Sequence, residues 1–298
     1  MSRWHQGVQA VGPFPGRLAR SLEAERTVNE QEIAEGLIHF ALEPTVAVGI
    51  AATTPTDDPD SFRSASGTLI RLSGVPVLVT NWHVVEAYRK FAAQRETQFF
   101  FADTAIDPVE RLHSESQELD LAVLLAYRLR IRADRNAPAG VPHIRVYEPT
   151  QWPPAPPQPG DSVFFAGWPE VGRSVDFANM EATFQPYAYV GATIQEATAD
   201  KFTIQFDRAR FWGVTGLETQ EQLEERQLSG LSGGPIFRDM SASGRMHELV
   251  GFITEYGVNW DLLIATSALN IRPDGRIDRS RPAEWCKNDS RRVGRLSR

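Results

Sequence analysis

The chain has 298 residues, enough for about two ordinary domains or one fold built from two halves. Hydrophobic residues make up 42% and charged residues 23%, which excludes a disordered or fibrous chain, and a net charge of −7 argues against a nucleic-acid partner. The lone cysteine, Cys286, excludes a disulfide-stapled scaffold and a cysteine-rich zinc site. No apolar run has signal-peptide or membrane-span length, so a soluble cytoplasmic protein with no membrane partner is expected.

Residues 1–26 are rich in Gly, Pro and Arg and read as a loose lead-in. Thr27-Val28-Asn29-Glu30 fits a capping box, and Ile33, Leu37, Phe40 and Ala41 share one helical face before Pro44. The period then changes to two. Strands are predicted at 45–50, 67–72, 75–80, 97–102 and 119–126. The run from Pro149 to Gly160 cannot lie inside a sheet, because proline supplies no ladder donor, and reads as a stiff connector. Strands resume at 162–167, 187–195, 201–206, 234–237, 249–254 and 262–265. From Arg272 to Arg298, nine Lys/Arg stand against four Asp/Glu, a basic and solvated tail. Many short strands with few helices predict an all-β barrel or sandwich repeated twice.

Nucleotide-loop and zinc-protease motifs are absent; the motif that stands out is Gly230-Leu231-Ser232-Gly233-Gly234-Pro235. Acyl transfer explains its composition. An attacked carbonyl develops negative charge, which converging backbone N–H groups, here those of Gly230 and Ser232, are suited to hold. A tight turn before the nucleophile requires glycine, and Gly233 and Gly234 let backbone pass close by. Serine alone is a weak nucleophile and needs a base.

Of six histidines, five lie in less suitable places. His5 is in the lead-in and His39 in the helix, while His113, His143 and His247 lie in polar or looped surroundings. His83 follows the β run Val77–Thr80 and opens a short helix-like stretch, so a rigid strand end would fix it. An orienting carboxylate is then needed, and Asp120 lies within the apolar run Leu119–Leu125. An unpaired charge there would be several kcal/mol unfavourable, which points to a partner.

Thr80-Asn81-Trp82-His83, Leu119-Asp120-Leu121-Ala122-Val123 and Gly230–Pro235 resemble, in this order, the three signatures of chymotrypsin/trypsin-like serine peptidases, in particular the disulfide-free bacterial branch. The resemblance covers about residues 45–271. It implies two six-stranded antiparallel β-barrels with the site between them: an N-terminal extension with a helix over 1–44, a first barrel over 45–148 with His83 and Asp120, the connector over 149–160, a second barrel over 161–271 with Ser232, and the basic tail over 272–298. It further implies that Thr254, Glu255 and Tyr256 lie on the substrate-binding strand, Thr254 often supporting the triad acid, and that Arg226 lies at the base of the specificity pocket. Three departures stand out. Leu231 replaces the acid that pairs with a newly cut N-terminus, Trp82 replaces a small residue, and Glu255-Tyr256 replace smaller, less charged ones.

The expected activity is that of a narrowly specific, regulated serine endopeptidase acting on a protein or peptide substrate. It would use no metal or organic cofactor. A regulatory protein partner would find handles in the N-terminal helix and basic tail. The alternatives are a catalytically silent fold used as a binding module, and a peptidase held inactive until a partner reorganises the cleft.

Overall fold

Runs such as Val75-Pro-Val-Leu-Val-Thr80 and Ser162-Val-Phe-Phe-Ala-Gly167 must cover apolar side chains on both faces, and they do so by joining sheets that pack on one another. The structure, a computed structural model, describes residues 5–8, 22–54, 58, 61–101, 104–127, 144–206, 229–244, 246–257 and 262–278. In chain order the elements are β1 (His5–Val8), α1 (Leu22–Leu42), β2 (Thr45–Ala52), β3 (Phe62–Leu72), β4 (Val75–Thr80), α2 (Trp82–Ala92), β5 (Thr97–Phe101), β6 (Thr104–Ile106), β7 (Leu112–Ser116) and β8 (Leu121–Leu125). After the strand-free connector come β9 (Ser162–Gly167), β10 (Arg173–Asp176), β11 (Glu181–Phe184), β12 (Tyr187–Ala197), β13 (Lys201–Gln205), β14 (Pro235–Arg238), β15 (Glu248–Gly257) and β16 (Leu262–Ser267).

The protein is mostly β. Its second half is a closed antiparallel barrel of six strands, ordered β12-β13-β16-β15-β14-β9. The first half is a seven-stranded antiparallel sheet, ordered β6-β5-β2-β3-β4-β8-β7, whose two edge strands do not pair with each other among the described residues. A third, small sheet joins β1 in parallel to the β10–β11 hairpin.

Four clusters of buried side chains hold these parts together. One fills the barrel, with Phe165, Tyr187, Ile236 and Leu263. Another lies on the first sheet, with Val46, Leu69, Leu78 and Phe99 capped by Val84 and Val85 of α2. A third joins the halves: Ile70, Val79 and Leu121 of the sheet meet Phe164, Phe237 and Phe252 of the barrel, covered by Leu37, Ile38 and Ala41 of α1. The halves therefore share a core, which fixes residues on one relative to the other. The fourth cluster seats the β10–β11 hairpin through Ala182 and Phe184 against Phe62 and Phe100.

Several elements differ from the sequence expectation. Helix α1 begins at Leu22, so Thr27 is inside it rather than at its cap. The strand predicted over 119–126 is confined to Leu121–Leu125, and Asp120 lies in the preceding turn. His113 is in a strand, β7, rather than a loop. The segments β6, β7, β10 and β11 have three to five residues each, too short or too polar to show a period. The connector is pinned to the barrel by Arg238, which ion-pairs with Asp161 at 2.9 Å and Glu248 at 2.7 Å and donates to the Pro156 carbonyl at 2.6 Å.

Candidate functional site

Strand register brings the first two candidate residues together. Thr80, the last residue of β4, pairs with Ala122 of β8. The chain leaving β4 therefore runs beside the turn entering β8, which sets His83 against Asp120 across 37 residues. A one-residue slip would turn both away, and the buried faces of β4 and β8 prevent it.

The Asp120 carboxylate is met from three directions. His83 Nδ1 lies 2.8 Å from Oδ2, the His83 backbone N–H donates to Oδ1 at 3.0 Å, and Asn81 Nδ2 donates to Oδ2 at 3.0 Å. Asn81 also donates to the Asp120 carbonyl at 3.0 Å. The acid thus also binds a free N–H in the first turn of α2, where a negative charge is favoured. Its backbone φ of 50° is one that Asp tolerates better than most residues. Because it sits in a turn, its side chain is 22% exposed rather than enclosed in a strand. An ionised carboxylate only accepts, so the proton between the two lies on His83 Nδ1, and in the neutral ring Nε2 is then the acceptor nitrogen. The His83 side chain is 48% exposed.

The serine lies where the barrel docks on β3. Ser232 precedes β14, and its carbonyl accepts the Ser66 N–H at 2.9 Å. Thr68 Oγ1 donates to the Gly233 carbonyl at 2.8 Å, and Ser66 Oγ donates to the Gly230 carbonyl at 2.7 Å. Ser66 Oγ in turn accepts the Trp168 N–H at 2.8 Å, and the Ser66 carbonyl accepts from Thr80 Oγ1 at 2.9 Å. The turn is glycine-dependent: Gly230 has φ +93° and Gly233 φ +91°. A Cβ on Gly233 would meet Ser66 O at 2.2 Å and Thr80 Oγ1 at 2.9 Å. So the residue after Ser232 touches the residue three before His83.

Carbonyl bonding leaves donors free. Gly233 N–H bonds the Ile253 carbonyl and Gly234 N–H the Leu231 carbonyl, each at 2.8 Å. Among the described residues no acceptor meets the N–H of Gly230 or of Ser232. Leu231 is 1% exposed and anchors the turn in the barrel core. The Ser232 hydroxyl donates to the Thr254 carbonyl at 3.4 Å, and among the described residues it makes no hydrogen bond to His83.

The other candidate positions fall as follows. Thr254 touches the site through its carbonyl, while its hydroxyl donates to the Ile264 carbonyl at 3.0 Å; Asn81, not Thr254, supports Asp120. Glu255 is exposed and Tyr256 half-buried on β15 beyond Thr254, with Tyr256 packed toward Phe206. Arg226, His143 and the tail from residue 279 lie outside the described residues, as does most of the lead-in. Sequence reasoning gave no role to Asn81, Ser66, Thr68 or Thr80. Asn81 had a signal in its place two residues before the base; the three hydroxyls give none, since Ser and Thr in strands are common.

The arrangement offers an oriented base, a carboxylate behind it, a hydroxyl on an adjoining turn and two N–H groups that no acceptor meets among the described residues. That set suits nucleophilic attack by an alcohol. Among the described residues no group of three His, Cys, Asp or Glu side chains is placed to hold a metal ion. No helix among them is long and apolar enough to cross a membrane. No protein-family model matches the chain, and no curated protein matches it.

Proposed function

We propose that this protein is a serine endopeptidase of the chymotrypsin/trypsin-like kind, with Ser232 as nucleophile, His83 as base and Asp120 as its orienter. The observation that carries the reading is the His83–Asp120 bond of 2.8 Å together with a serine turn docked on β3, the neighbour of the strand β4 that leads to His83. In this scheme Ser232 Oγ bonds to the substrate carbonyl carbon as its proton passes to His83 Nε2. The oxygen becomes an anion held by the N–H groups of Gly230 and Ser232. The C–N bond breaks, and the amine leaves with the proton from His83. Water then repeats the sequence on the acyl-enzyme, releasing the acid and restoring Ser232. The step needs a side-chain rotation of Ser232 from the Thr254 carbonyl toward Nε2.

The finer architecture that goes with this reading is a pair of barrels, with the seven-stranded sheet as the first. Substrate would lie along Thr254–Tyr256 in the groove between the halves, and a cytoplasmic setting would require narrow specificity. The test is labelling by a fluorophosphonate probe with intact-mass readout. The wild type is expected to gain one adduct, on Ser232, and Ser232→Ala none; a wild type that stays unlabelled refutes the reading.

One observation favours a second reading, a silent fold acting as a protein-binding module: Ser232 Oγ bonds the Thr254 carbonyl instead of the imidazole. That reading predicts no labelling.

A further inference from the structure

One donor of the proposed anion site, the Gly230 N–H, belongs to the peptide that joins it to Ser229. A trans peptide is planar, with its N–H and C=O pointing in opposite directions. Whatever holds the Ser229 carbonyl therefore aims the Gly230 N–H. That carbonyl accepts the Glu170 N–H at 2.6 Å. The same two residues bond a second time, Ser229 Oγ donating to Glu170 Oε2 at 3.0 Å. A backbone bond and a charge-assisted side-chain bond between one pair of residues make a two-point clasp.

The clasp is braced from outside. Arg173 Nη2 pairs with Glu170 Oε1 at 2.9 Å, and Arg173 Nη1 donates to Ser64 Oγ on β3 at 3.1 Å. The guanidinium lies over the Phe62 ring, 5.1 Å from its centre. Glycine lets the turn press this close: a Cβ at 230 would come within 2.7 Å of Glu170 N and 2.8 Å of Trp168 O. Glycine is also the residue whose adjoining peptide rotates most freely, so its orientation needs an external hold. Without the carboxylate, only the backbone N–H of residue 170 still holds the peptide between Ser229 and Gly230, and rotation of its carbonyl toward the reacting oxygen, where it would repel an anion, becomes easier.

We propose that Glu170, braced by Arg173, is a positioning residue that holds the Gly230 N–H toward the reacting oxygen. The proposal rests on the reading of this site as an acyl-transfer centre. It adds the three residues 168–170 to the working parts of the site, and it assigns an acid to a task that the core-buried Leu231 does not perform.

The experiment compares fluorophosphonate labelling of the full chain with that of Glu170→Ala, Glu170→Gln, Ser229→Ala and the double variant Glu170→Ala/Ser229→Ala. The maximal labelling rate of Glu170→Ala is expected to fall about tenfold or more, below the 10²–10³-fold that one whole donor supplies. The half-saturating probe concentration is expected to stay within about twofold, because ground-state contacts are untouched. Ser229→Ala is expected to match it and the double variant to fall no further, since both remove one clasp. Glu170→Gln keeps an oxygen for Ser229 and is expected to recover most of the rate. If the wild type labels and Glu170→Ala or, should that variant not fold, Ser229→Ala labels as fast, the proposal is overturned while the peptidase reading stands. If the wild type does not label, the peptidase reading falls and takes this proposal with it.

Discussion

Replacing Gly233 by alanine puts a methyl group where two parts of the molecule already touch. Its Cβ would stand 2.2 Å from the Ser66 carbonyl oxygen, against an ordinary carbon–oxygen approach of about 3.3–3.6 Å. The turn must therefore withdraw by about 1 Å, and three bonds run through it: Ser66 N–H to Ser232 O, Thr68 Oγ1 to Gly233 O, and Gly233 N–H to Ile253 O. The left-handed backbone, φ +91°, adds its own penalty, about 1–2 kcal/mol for a residue with a Cβ. Overpacking adds about 1–3 kcal/mol. The expected total is about 2–5 kcal/mol, a large share of a typical stability of about 5–15 kcal/mol. Gly191 separates the two contributions: its φ is +84°, yet no atom lies within 4 Å of the site of a Cβ. Gly191→Ala should therefore lose only the backbone part, about 1–2 kcal/mol. Urea unfolding followed by tryptophan fluorescence reads both, with unchanged m-values confirming a comparison of stabilities. Equal losses for the two variants would refute the claim that the Gly233 turn is docked on Ser66.

Three other outcomes follow from the same contacts. Asp120→Asn offers an amide N–H to His83 Nδ1 and favours the tautomer with its proton on Nε2, so fluorophosphonate labelling should fall by about 10⁴-fold; unchanged labelling would refute the assigned role. His247 packs against Phe40 and Phe164, and burial lowers its pKa despite Asp239 nearby. The folded state then binds fewer protons than the unfolded one, so stability is full above the ordinary histidine pKa of about 6.5 and declines as pH falls from there through the lowered value; His247→Gln should flatten the decline of the thermal midpoint between pH 7.5 and 5, and parallel curves would contradict it. Arg238, 11% exposed between Asp161 and Glu248, should cost about 3–5 kcal/mol on change to Ala; Lys should not restore it, because a single ammonium cannot make the forked contacts to both acids and to Pro156.

The amino-acid order alone determined what depends on neighbours a few residues away. Short apolar runs located β2, β4 and β9, and alternation located β13, each to within two residues, because both patterns are local to the strand itself. The prolines of 149–160 marked a connector, since a missing N–H is missing in any fold. The glycines of 230–234 announced a tight turn around Ser232 for the same local reason. Tertiary structure decided the rest. Asp120 sits in a turn that caps α2, not in a strand, and only the β4–β8 register shows that Asn81 shares it with His83. Ser66 reaches Gly230 across 164 residues and Glu170 reaches Ser229 across 59. A buried hydroxyl or carboxylate bonds whatever the folded chain brings within 3 Å or so, and no local pattern encodes which carbonyl that will be.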